Sequence, residues 1–400
     1  MTIGSSPETG RPLDSGSVSL PASTPARLSD IDWRWALPRI LVIFIATRLL
    51  ALGVAVAVET YQPPPPEVLV DDRPIISSLT VSDTGSYLSI AETGYHAEFE
   101  RFPSYAFYPG YPVLIRALTP LAGGDAAVTA IIISNVAFLL ALVVLYALSV
   151  RYLVPRNAIL SLWFLALAPG AIAYSLAYSE SLFLLLAVGA FLAMETRHGW
   201  LAGILLALAT FTRVPGILLG LPLLLLIVER DGWRPSRAWL PLFLAPIVLA
   251  GFFAYLWWLT GDPLATVNAQ SYWKLPEDGS TPSANLALEG QDGPAVVLRT
   301  APDWVIGLWV AVLAFYAFLF VFFRPDRIKP AYWVVALIAL VSVFLTGKLL
   351  SSPRYVAYAW PFDWVLANRK SNIGRGAVLV VFLILHVFLL WQAFTWKIPP

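Results

Sequence analysis

The chain has 400 residues, of which 58% are hydrophobic and 13% charged, with a mean hydropathy of +0.72 and a net charge of +1. Soluble domains run at about 45–50% apolar and about 25% charged, so the excess apolar surface has to be covered by lipid. The near-neutral charge excludes a bulk basic field for nucleic acid, and the lack of cysteine excludes disulfides, thiolate chemistry and Cys-based metal sites.

Residues 1–35 are polar and rich in Ser, Pro, Thr and Gly, without an apolar region followed by a small-residue cleavage site. They read as a disordered cytoplasmic tail, and the first apolar stretch as an uncleaved signal anchor. The transmembrane domain then occupies 36–400. A spanning helix needs roughly 20 mostly apolar residues. Stretches that meet this are 36–58, 126–149, 157–176, 238–259, 303–323, 331–347 and 376–396. The apolar run 178–229 is interrupted twice and reads as three shorter helices, 180–195, 199–212 and 215–229. A further segment, 354–368, contains Pro361 and Asp363 and reads as spanning or re-entrant. The fold class expected is all-α and polytopic, with about eleven transmembrane helices.

Short basic connections hold Arg151 and Arg156, Arg197, Arg230 to Arg237, Arg324 to Lys329, and Arg369 to Arg375. By the positive-inside rule these are cytoplasmic. The long connections 59–125 and 260–302, rich in Pro, Asp, Glu and aromatics, then face the outside.

The first outer loop opens with a proline run, Pro63 to Pro66, a stiff polyproline II stretch. Within 83–95, Tyr87, Leu88, Ile90 and Ala91 recur at helical spacing, Asp83 occupies the N-cap position, and Gly94 ends the helix. The run from Ala106 to Arg116 reads as an interfacial turn leading into a second amphipathic helix.

Ionisable groups near an apolar slab are functional candidates. On the outer side these are Asp83, Glu92, His96, Arg116, Glu180, Arg213, Lys348 and Arg354. On spacing alone Asp83 is the cap of a surface helix, worth about 1 kcal/mol; with suitable geometry its carboxylate is a general base toward a hydroxyl. Glu180, among Tyr174, Ser175, Tyr178, Ser179 and Ser181, is either part of a solvated turn or the wall of a cavity that binds sugar hydroxyls. Arg213, Lys348 and Arg354 run against the positive-inside trend. They are phosphate ligands or cations snorkelling to headgroups. The three histidines, His96, His198 and His386, are dispersed, so no His-rich metal site is expected. No Walker loop or Gly-x-Gly-x-x-Gly turn is present, which disfavours a nucleotide-sugar donor.

The runs Asp83–Tyr95 and Phe107–Arg116, followed by Ala177–Phe183, Ala209–Gly216 and Ser352–Tyr355, resemble the landmarks of the PIG-V family in the same order. These are GPI mannosyltransferase 2 and its bacterial homologues. The resemblance implies a GT-C glycosyltransferase that takes a sugar, typically mannose, from a polyprenyl-phosphate donor and inverts the anomeric centre. The acceptor is a glycan, a glycolipid or a protein, and no cofactor is implied. The resemblance makes Asp83 the catalytic base. Arg213, Arg354 and Lys348 then meet the donor phosphate, and Tyr87, His96, Tyr111, Arg116, Tyr178 and Glu180 line the substrate site. Members of the family often carry Trp directly before the Asp, where this chain has Ser82. The resemblance also implies a multi-pass protein of a prokaryotic plasma membrane with an extracytoplasmic site. The alternatives are a transporter or flippase for a lipid-linked or small polar substrate, and a scaffold subunit of an envelope-synthesis complex. The transferase reading requires Asp83, Glu180, Arg213 and Arg354 to converge on one cavity.

Overall fold

The protein is described by a computed structural model covering residues 27–64, 69, 71–96, 104–270, 303–323, 328–346 and 352–395. In chain order the α-helices are α1 (Trp33–Tyr61), α2 (Ile76–Leu79), α3 (Thr84–Thr93), α4 (Gly110–Leu118), α5 (Ala126–Ser149), α6 (Pro155–Leu167), α7 (Glu180–Glu195), α8 (Gly199–Thr212) and α9 (Pro215–Leu218). They continue with α10 (Gly220–Asp231), α11 (Leu244–Thr260), α12 (Ala265–Ala269), α13 (Asp303–Phe322), α14 (Pro330–Thr346), α15 (Ser352–Val356), α16 (Trp360–Ala367) and α17 (Asn372–Phe394). The described residues contain no strand.

The protein is a multi-pass membrane bundle. In α1 the buried residues Ala36, Ile40, Ile43, Thr47, Ala51, Val54 and Val58 recur every three or four positions. The opposite face exposes Leu41, Val42, Ile45, Leu49, Leu52 and Val56, an apolar stripe that only lipid can cover. Among the described residues, α1, α5, the 3-10 turn Arg237–Phe243 with α11, and α17 are each long and apolar enough to cross a membrane, and α8, α13 and α14 are shorter apolar helices. The centre of the bundle is α5 against α7 and α7 against α8.

The expected stretch 157–176 is not one straight helix. It ends at Leu167 and continues as a 3-10 turn, Pro169–Ser175, bent by 82°. Pro169 supplies no N–H and its ring clashes with the preceding turn. The stretch 215–229 likewise divides into α9 and α10 at Leu219. The segment 354–368 forms two helices, α15 and α16, of five and eight residues. An eight-residue helix is about 12 Å long, too short to cross. All of α16 is buried in protein, which fits the re-entrant reading.

Both helices expected in the first loop are present. Helix α3 starts after Asp83 and ends at Gly94, which takes the left-handed φ of 86° that suits glycine. Helix α4 buries Tyr111, Pro112 and Ile115 and exposes Val113 and Arg116. The tail up to residue 26, the end of the proline run and residues 271–302 of the second loop lie outside the described residues.

Candidate active site

Four separate pieces of chain meet at one end of the bundle: the start of α3, the start of α7, the end of α8, and α15. Asp83 precedes α3, yet its side chain makes no bond to that helix. Its Oδ2 accepts from Arg354 Nη1 at 2.5 Å. The expected cap is therefore not what this carboxylate does. Ser82, just before it, holds φ at 51°, a left-handed conformation costly for a residue with a Cβ. That turn aims Asp83 away from its own helix.

Glu180 sits in the first turn of α7 and is 4% exposed. Its Oε1 lies 2.5 Å from Arg213 Nη1 and 3.7 Å from Arg354 Nη1. Two carboxylates and two guanidiniums thus alternate as Asp83, Arg354, Glu180, Arg213. The side chains are 4–16% exposed, with Asp83 the most open. Mutual pairing of this kind offsets the cost of burying the charges.

Hydroxyls surround the charges. Arg213 Nη1 donates to Ser179 Oγ at 3.1 Å, and Ser179 Oγ lies 2.8 Å from Tyr87 OH. Burial, the leading cause, pushes the Tyr87 phenol well above its ordinary value, so it stays a neutral hydroxyl. Tyr178 OH accepts the backbone N–H of Asp83 at 3.4 Å, and its ring lies 5.6 Å from the Arg354 guanidinium. Arg213 similarly lies 5.7 Å from the ring of Tyr355. Tyr111 forms the layer behind, bonded to Ala130 O at 2.8 Å and Ser134 Oγ at 2.7 Å, with its ring edge-on to Tyr87.

Two glycines permit the close approaches. A Cβ on Gly170 would lie 1.9 Å from Pro353 O, so only glycine lets the 169–175 turn pack on α15 beside Arg354. A Cβ on Gly110 would lie 2.6 Å from Thr212 Oγ1 and 2.9 Å from Phe211 O, so α4 meets the end of α8 next to Arg213 through glycine.

Beside this cluster a largely apolar groove of about 460 Å³ runs between the first-loop helices and the spans α8 and α11. Ile90, Pro109, Val113, Phe211, Phe252 and Tyr255 are among its walls, and the exposed Arg116 stands at its edge. The structure therefore gathers Asp83, Tyr87, Tyr178, Glu180, Arg213 and Arg354, with Tyr111 directly behind. Arg116 belongs to the groove. His96 follows α3, and its carbonyl accepts from Tyr105 OH. Lys348 lies outside the described residues. Among the described residues no three His, Asp or Glu side chains form a metal cluster.

The sequence reading did not single out Ser179 as the bridge between Arg213 and Tyr87, or Tyr355 beneath Arg213. Ser179 stood in the polar patch around Glu180, and Tyr355 adjoins Arg354. Neither role has a sequence signal, because each depends on contacts between distant segments.

Residues 36–224 match the family model described as Mannosyltransferase (PIG-V). Over this segment the chain is similar to the PIG-V family. The match covers Asp83, Glu180 and Arg213 but stops before Arg354. Outside the family model, GPI alpha-1,6-mannosyltransferase 2 of Mus musculus is 28% identical over 307 residues. That alignment covers 72% of this chain and 57% of the mouse protein, so the chain spans little more than half the length of that relative. The Rattus norvegicus protein of the same name is 31% identical over 153 residues, 36% of this chain and 30% of its own. Among solved structures, ArnT from Cupriavidus metallidurans, bound to undecaprenyl phosphate, superposes with a TM-score of 0.53. The identity is 13%, and the overlap covers 92% of this chain and 77% of that one. That likeness is one of fold, and it extends over both the segment matched by the family model and the remainder of the chain.

Proposed function

We propose that the protein is an inverting mannosyltransferase that uses a polyprenyl-phosphate-linked sugar. The observation that carries this reading is the position of Asp83. It stands where a helix cap would stand, yet its carboxylate leaves its own helix for a cluster holding two arginines. A base and an electrophilic clamp brought together in one partly exposed cluster are what a single displacement at an anomeric carbon needs.

In this reading Asp83 accepts the proton of an acceptor hydroxyl as the hydroxyl oxygen attacks the anomeric carbon. The bond from that carbon to the phosphate oxygen breaks, and the lipid phosphate leaves with the electron pair. Arg354 and Arg213, with Lys348, neutralise the departing charge, and bidentate guanidinium contacts suit a phosphate. The attack comes from the face opposite the leaving group, so configuration inverts without a covalent intermediate. Tyr87, Tyr178 and Glu180 position the sugar and the arginines, with Tyr111 behind them. The apolar groove edged by Arg116 takes the first isoprene units of the donor, and His96 lies on the acceptor side.

The basic connections Arg151, Arg156, Arg197 and Arg230 lie at the other end of α5, α6, α7 and α10 from the ion cluster. That asymmetry supports a site facing the non-cytoplasmic side; the reading places the protein in the plasma membrane of a prokaryote. A transporter would carry its polar site at the midplane between two related halves; here the charges gather at helix ends instead.

The test is transfer of radiolabelled sugar from polyprenyl-phosphate-mannose by purified protein into lipid, glycan and protein fractions of the source membranes. Labelled product with inverted configuration is expected, and its fraction identifies the acceptor class. Purified, folded protein that transfers no sugar from this donor or from its glucose counterpart would overturn the reading.

A further inference from the structure

Arg48 lies near the middle of α1, the depth at which a cation is hardest to place in a membrane helix. Its hydrogen bonds lead to no carboxylate. Nη1 donates to Tyr174 O at 2.5 Å and to Asn135 Oδ1 at 3.3 Å, while Nε and Nη2 are buried without a partner. The guanidinium lies 4.7 Å from the ring of Phe138, which in turn stacks on Tyr174 at 4.9 Å. A carbonyl, an amide oxygen and an aromatic face take the place of a counter-ion.

The carbonyl that Arg48 meets is not an ordinary helical one. Tyr174 belongs to the 3-10 turn after the 82° bend. The N–H that would close the next turn on Tyr174 O is that of Ala177, and it bonds to Leu79 O at 2.9 Å instead. Thr84 Oγ1 also bonds to Ala177 O, and the N–H of Asp83 to Tyr178 OH, so the turn is stitched to the chain that carries Asp83. Directly after Ala177 come Tyr178, beneath Arg354, Ser179, bonded to Arg213, and Glu180. A carbonyl freed in this way inside the membrane needs another donor; Arg48 provides the short one at 2.5 Å, and Ser181 Oγ adds a long one at 3.4 Å.

We propose that Arg48 is a positioning residue. Its bond to the Tyr174 carbonyl fixes the corner that presents Tyr178, Ser179 and Glu180 to the two arginines. This rests on the transferase reading above. Because that corner holds the partners of Arg213 and Arg354, its loosening acts on donor phosphate binding. Asp83 meets that corner only through its long backbone bond to Tyr178 OH and is affected less.

The test compares wild type with Arg48→Met and Arg48→Lys, purified to equal folded amounts, in steady-state transfer with the lipid donor varied. Arg48→Met raises the donor KM by about tenfold or more, and kcat falls by a smaller factor. Arg48→Lys, which still donates one bond to the carbonyl, recovers part of the KM. A general packing role lowers thermal stability and folded yield and leaves the KM of the surviving enzyme unchanged; that result would overturn the proposal. Where Arg48→Met does not accumulate, Arg48→Lys decides alone: a donor KM equal to wild type refutes it. A wild type without transfer removes the reading and this inference together, whereas an active wild type matched by both variants removes only this inference.

Discussion

Replacing Asp83 with asparagine separates the two jobs that the proposed mechanism gives its carboxylate, general base and partner of Arg354. The side chain keeps its shape and one acceptor oxygen but loses its charge. Arg354 does not become an isolated cation, because Glu180 Oε1 lies 3.7 Å from the same Nη1. The fold is therefore expected to survive. Loss of a positioned general base costs about 10²–10⁴ in rate, which is roughly 3–5 kcal/mol of activation free energy at 1.36 kcal/mol per decade. Phosphate binding moves the other way. In the resting site Asp83 competes for Arg354 at 2.5 Å with the two side chains 16% and 10% exposed. A charge-assisted bond of this kind is worth about 1.5–3 kcal/mol. Retention of the amide oxygen puts asparagine at the low end, so polyprenyl phosphate binds roughly tenfold more tightly to the variant. Transfer of labelled sugar and binding of unlabelled polyprenyl phosphate, each on purified protein of matched thermal stability, measure the two effects. Transfer equal to wild type refutes the base. Loss of transfer together with weaker phosphate binding and a lower Tm refutes the competition and makes Asp83 a structural anchor for Arg354.

The Gly170→Ala variant has to move α15, because the new Cβ would lie 1.9 Å from Pro353 O. A drop of about 1–3 kcal/mol in stability with a clear loss of transfer is expected, and thermal unfolding beside the transfer assay checks it; a neutral variant would show that Arg354 does not depend on that approach. Away from the site, Arg73 bonds both Asp71 and Asp125 and ties the first loop to the start of α5. The hydrogen bond from Arg73 holds both carboxyls below their ordinary value of 3.8. A depressed carboxylate contributes stability that is full above its unfolded value and is lost as pH falls through the folded one. The wild type therefore loses Tm as pH drops below about 4, and Arg73→Ala loses less over the same window. Parallel melting curves in acid would contradict this.

Much of the protein was legible before any coordinate. Apolar content and run length establish a lipid-bound helical chain, because nothing but lipid can cover that surface. The bounds of α3 followed from Asp83 and Gly94, and those of α5 and α8 were read correctly from apolar run and flanking polar residues. The order of short motifs pointed to the family whose model matches residues 36–224. The bend at Pro169 was missed because apolar content was weighed above the proline that ends α6. Arg48 was missed because only charges near the outer face were weighed, although a cation inside the first apolar stretch is visible in the sequence.

Local chemistry set what each segment could become: helix periodicity, a proline stop, a glycine at positive φ, a polar patch after an apolar run. It could not say whether Asp83 would cap its own helix, because cap and base share the same position. That was decided by α15, which lies 271 residues further along the chain. Only the folding back of the 169–175 turn onto Pro353, and of α8 onto α4, brings two arginines to two carboxylates in a poorly solvated corner. Pairing of buried charges is a property of three-dimensional proximity, and sequence spacing carries no record of it.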